Sequence, residues 1–126
     1  MGIVFYVGTP SDDNAVRLTD RHAKRFLPLV GLDPNIAVGT IRTVDAYQLM
    51  RSIRAHRARL GEHRIGHARG RLSAKEKTAL LGDCSLDDVL DWLRLVEMVA
   101  RDADMARGDL YYTRRRIRSE GRRDWR

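Results

Sequence analysis

The chain has 126 residues, 43% of them hydrophobic and 33% charged, and its 24 Lys and Arg against 17 Asp and Glu give a formal charge of +7. That length builds one ordinary domain, and no run approaches the ~18 consecutive apolar residues of a membrane span. The N-terminus turns acidic at Asp12 and Asp13 with no basic n-region, so a signal peptide is not expected, and the single cysteine, Cys84, excludes an internal disulfide framework. A reducing, cytoplasmic setting is expected.

Gly2 to Val7 (GIVFYV) is β-branched and aromatic, closed by Gly8 and Pro10, and predicts a strand buried on both faces. Residues 10–14 (PSDDN) offer cap residues for a helix running to about Leu29. Val16, Leu18, Ala23, Phe26 and Leu27 follow helical spacing loosely there, and Pro28, Gly31 and Pro34 should end the helix. Residues 35–39 (NIAVG) are a candidate for a short second strand.

From Thr43 or Val44 to Leu60, the residues Ala46, Leu49, Met50, Ile53 and Leu60 share one face at 3.6-residue spacing, which predicts an amphipathic helix stopped by Gly61. Residues 61–71 (GEHRIGHARGR) carry three glycines and read as an exposed loop. Ser73 and Glu76 form a capping box for a short helix closed by Gly82. Ser85 opens the next helix, with Asp88 three residues on. Over 86–106 the apolar side chains, among them Leu86, Val89, Leu90, Trp92, Leu93, Val96 and Ala100, cover more than half the circumference. A helix that apolar is central or two-sided. Gly108 breaks the pattern, and 109–113 (DLYYT) reads as a third strand pairing with GIVFYV rather than as a helical turn. The expected fold is a helix-rich α+β domain over 1–113, with two or three short strands on three or four helices around 86–106. Residues 114–126, with seven arginines, are expected to form an extended or partly disordered C-terminal tail.

The cations are 21 Arg and only three Lys, and they are unevenly spread. Residues 1–41 are neutral, 42–72 sum to +6, 83–109 to −5 and 110–126 to +5. Two basic blocks bracket one acidic helix. Guanidinium grips phosphate or carboxylate with two parallel hydrogen bonds, so the blocks suit nucleic-acid phosphates or an acidic protein. The candidate contacts are Tyr47, Arg51 and Arg54 on one flank of the second helix, followed by Arg57 and Arg59. Arg64, Arg69 and Arg71 follow in the loop, and Arg114, Arg115, Arg116 and Arg118 in the tail. Aromatics are interleaved with them, as in surfaces that stack bases on DNA or RNA. Neutralising the acidic helix within the chain is the competing fate for some of these arginines.

Trp92, Leu95 and Val99 extend the stripe of helix 86–106 beyond one core contact. With the N-terminal helix so weakly periodic, a second copy of the chain is expected to cover that seam, giving a homodimer. A non-catalytic interaction protein, of the adaptor or inhibitor type found among phage, mobile-element and virion proteins, is thus the alternative to a nucleic-acid binder.

Catalytic and metal chemistry find little support. His63 and His67 are four apart with His56 and Glu62 nearby, but the glycines among them argue against the helix that would bring two imidazoles to one metal. Cys84 has no assignable base. Asp12 and Asp13 are better placed to cap a helix than to act as a catalytic carboxylate pair, and VGTPSDDN has one glycine where a phosphate cradle needs several. Residues 73–93 have helix-turn-helix form, yet the second helix opens with Asp87, Asp88 and Asp91, which repel a phosphate backbone. No cofactor, metal or enzymatic activity is expected.

Overall fold

A computed structural model of the chain describes residues 1–10, 14–64, 72–117 and 121–122. Burial on both faces places β1 (Gly2–Tyr6), every residue of which is buried, in the middle of the sheet. It pairs antiparallel with β2 (Val16–Thr19) on one side and β4 (Leu110–Arg115) on the other. Beyond β4 lies β3 (Ile41–Val44), and beyond β2 the two-residue β5 (Gly121–Arg122), giving the antiparallel order β3-β4-β1-β2-β5.

The register sorts the side chains into two faces. Ile3 opposite Leu18, and Phe5 opposite both Val16 and Tyr112, turn toward the helices. Phe5 meets the Phe26 ring edge-on at 5.9 Å and stacks with Tyr112 at 5.8 Å. Val4 and Tyr6 point the other way and form a small cluster with Ala15, flanked by Tyr111 and Ile117. Gly2 admits Ile117 to that face, since a Cβ there would collide with the Ile117 side chain.

The helices are α1 (Asp20–Leu29), α2 (Ala46–Arg64), α3 (Ala74–Leu80) and α4 (Leu86–Met105). α2 buries Leu49, Met50, Ile53 and Leu60, the face its periodicity predicts. α3 has the expected capping box between Ser73 and Glu76. α4 buries Val89, Trp92, Leu93, Leu95, Val96, Val99, Ala100 and Ala103, and lies between α2 and the sheet. The helix-rich α+β fold with α4 at its centre is therefore the expected one, with more strands than the two or three predicted.

The departures have local causes. Val16 and Leu18 belong to a strand, not to the start of a helix: burial alternates through β2, and Thr19 passes directly into α1 with no turn to announce the change. Pro28 sits inside α1, in the last turn, where it removes only one helix hydrogen bond. The stop is Gly31 at φ +77°, with the Gly31 and Leu32 amides donating back to the carbonyls of Pro28 and Leu27. Residues 35–39 form no strand. The Thr40 amide closes a turn onto Ala37 O, Gly39 takes φ +85°, and only Val38 bridges to Arg114. The strand is β3 instead, three of whose four residues are exposed and so carry no apolar signal.

Gly61 does not stop α2, which continues to Arg64; residues 65–71, the rest of the expected loop, lie outside the described residues. α4 ends in a Schellman motif, the Gly108 amide donating to Ala103 O and the Arg107 amide to Asp104 O. The left-handed position is Arg107 at φ +50°, one residue before the glycine that signals the break. The third strand pairs with β1 as expected, and runs two residues beyond 113, so that Arg114 and Arg115 are sheet residues opposite Ile3 and Gly2.

Candidate nucleic-acid interface

The buried face of α2 fixes its outward side. Tyr47, Arg51, Arg54 and Ala58 follow at steps of four, three and four residues, so they form one stripe along the helix. Tyr47 is 55% exposed, and the Arg51 guanidinium carbon lies 5.9 Å from its ring centroid. A cation over an exposed aromatic face is worth about 0.5–1 kcal/mol, enough to bias the Arg51 rotamer.

The stripe runs into a groove of about 570 Å³ between α2 and α4. Ala58 and Gly61 leave the space, Leu90 lines the far side, and Arg54, Arg57 and Arg94 bring three guanidinium groups to the rim. Glu97, whose side chain is only 15% exposed, organises two of them: Arg57 donates to it at 2.6 Å, and Arg54 lies 3.7 Å away. Asp91 stands 3.8 Å from Arg94. Each arginine has five N–H donors, so pairing with one carboxylate leaves donors for another anion. With Arg51, the groove and stripe together carry four arginines against Glu97 and Asp91.

The remaining candidates go elsewhere. Arg59 donates to Glu76 at 3.0 Å and ties α3 to α2, while Arg114 donates to Asp20 at 2.8 Å and ties β4 to the start of α1. Neither pair involves the acidic helix 86–106; the neutralisation of that helix that the charge pattern left open is made by Arg57 and Arg54 on Glu97. Arg115 and Arg116 are exposed, and the register sets Arg115 on the Val4 face of the sheet, opposite the helix layer. Among the described residues, Arg115 thus stands apart from the α2 stripe. Arg64 ends α2, but its side chain, with Arg69, Arg71 and Arg118, lies outside the described residues. Arg42 was missed. It is exposed on β3 beside Tyr112, and its charge opposes the rise in the Tyr112 phenol pKa that burial causes.

The expected dimer seam is corrected. Trp92, Leu95 and Val99 are buried within the chain, at 6%, 7% and 1% exposure. The His22 ring of α1 packs 4.1 Å from the Trp92 ring, so the N-terminal helix provides cover that its own periodicity did not announce.

The Cys84 thiol is held above its ordinary pKa, by burial first and by the Asp83 carboxylate next, which disfavours the thiolate. His56 Nε2 is 2.8 Å from Leu29 O, and no group of three or more metal-binding side chains occurs among the described residues. His67, Asp12 and Asp13 lie outside them, as does the side chain of His63. No helix among the described residues is long and apolar enough to cross a membrane. No protein-family model, curated protein or solved structure matches the chain.

Proposed function

We propose that the chain is a non-catalytic binding protein whose α2 stripe contacts nucleic-acid phosphates. The observation that carries this reading is the continuous row Tyr47, Arg51 and Arg54 leading into the groove rimmed by Arg57 and Arg94. Spacing along the row is one helical turn, ~5–6 Å, close to the separation of successive phosphates on a single strand. Arg51 and Arg54 would bind phosphate oxygens, and the free face of Tyr47 offers a platform for a base. Glu97 supports this use by holding Arg57 toward the groove, although it also subtracts charge. The formal charge of +7 adds a long-range attraction for any polyanion.

Fluorescence anisotropy with labelled single-stranded DNA, single-stranded RNA and duplex DNA across a salt series tests it. Affinity should fall steeply with salt, and the paired substitution Arg51→Gln and Arg54→Gln should flatten the logarithmic slope by about two, one phosphate contact each. Tyr47→Ala should weaken single-strand binding more than duplex binding. Binding that ignores salt, or absence of binding at low salt, would remove the reading.

A further inference from the structure

β3 ends the sheet and has no strand on its outer side among the described residues. In an antiparallel ladder, alternate residues turn their N–H and C=O groups outward, so a four-residue edge offers a short template for another strand. The edge also has apolar handles. Ile41 is 59% exposed and Val38 57%, and they sit against consecutive residues of β4, Thr113 and Arg114. The pleat separates the charge from Ile41: Ile41 shares the Val4 face of the sheet, whereas Arg42, like Val38 against Arg114, turns to the Tyr112 face. Arg42 forms no ion pair with any described residue.

We propose that β3 is the docking edge for an extended acidic segment of a partner protein, which adds to the sheet beside Ile41–Val44. In that pairing alternate side chains of the incoming strand meet the Ile41 side and the Arg42 side, so the segment it fits alternates apolar and acidic residues. A second copy paired antiparallel and centred on Arg42 fits poorly, because it sets Arg42 opposite its own equivalent, and like charges across strands repel. Phosphate backbone fits poorly too, since an exposed strand edge presents carbonyl oxygens as well as N–H donors. The acidic residues Asp87, Asp88 and Asp91 of this chain are held in α4 and cannot supply the strand. This inference uses a different element from the α2 stripe and does not depend on nucleic-acid binding.

The test is anisotropy with a short labelled peptide alternating Val and Glu, together with amide hydrogen exchange of the protein. The peptide should bind, protect amides within Ile41–Val44, and bind Arg42→Glu about tenfold more weakly. A companion peptide alternating Val and Lys should prefer Arg42→Glu to the wild type. Substituting Arg51 and Arg54 with Gln should leave peptide affinity within about twofold, which separates this surface from the α2 stripe. Four outcomes would overturn the proposal: no peptide binding, protection on α2 in place of β3, equal binding by Arg42→Glu, or wild-type dimers with β3 amides already protected.

Discussion

α2 and α4 are neighbours of almost equal length, 19 and 20 residues, yet α4 buries two apolar seams and α2 only one. α4 packs against α2, the sheet and α1, so that both its apolar seams are used within the chain and only a charged strip, Asp91 and Arg94 included, faces outward. α2 has its apolar face on α4 and its opposite side in water, where Tyr47, Arg51 and Arg54 project. Surplus apolar surface on a helix is therefore not by itself a sign of a partner. The number of neighbours around the helix decides whether it is core or interface.

The contrast breaks most sharply at Val99. Val99→Glu buries an unpaired charge against α4's neighbours and should cost above ~3 kcal/mol, with urea unfolding as the measure. A variant that stays folded and merely converts a dimer to a monomer in sedimentation would return the seam to the surface. The next effect is at the end of the sheet. Truncation after Thr113 removes Arg114 and Arg115 from β4, the Arg114–Asp20 pair and Ile117, and should cost about 2–4 kcal/mol. Truncation after Ile117 should keep most of that stability. Equal thermal unfolding of the two truncations and the full chain would show that the sheet effectively ends at 113.

Smaller effects sharpen the comparison at the two helix ends. Arg107→Gly relieves the left-handed residue after α4 and should stabilise by ~1 kcal/mol. Gly61→Ala, in the last turns of α2 with open space around its Cβ, should gain about 0.5–1 kcal/mol. A loss at Gly61 would mean that α2 does stop there. The smallest effect concerns acid. The Ser73 backbone amide first and Arg59 second hold the Glu76 carboxyl below the usual carboxylate range. Its folded pKa is lowered, so its contribution is present at neutral pH and is lost as pH falls below the ordinary value and through the lowered one. Protection of amides at the start of α3, taken relative to their intrinsic exchange rates, should fall in that acid window, and Glu76→Gln should abolish the fall.

Legibility followed the strength of the local signal. The buried face of α2, the capping box at Ser73 and Glu76, the broad apolar stripe of α4 and the pairing of β4 with β1 were readable because each combines spacing with a start or stop residue. β2 was hidden because four residues of period two run straight into a helix. β3 was hidden because an edge strand with Ile41, Arg42 and Thr43 exposed has no buried alternation to detect. At the candidate site the residue types were legible but their company was not. Arg51 and Arg54 remain on the α2 surface, Arg57 is held by Glu97, and Arg59 and Arg114 are absorbed by Glu76 and Asp20.

The sequence by itself determined the helices, the central strand, the basic excess and the identity of the core helix, since these depend on contacts a few residues apart or on composition. Tertiary structure decided which arginines are spent on carboxylates, which side of α4 is covered, and where the sheet has its open edge. Many of those outcomes join residues 40 or more positions apart, such as Arg57 with Glu97, Arg114 with Asp20 and His22 with Trp92. Local periodicity has no means of pairing residues at such separations, because only the docking of whole elements brings them together.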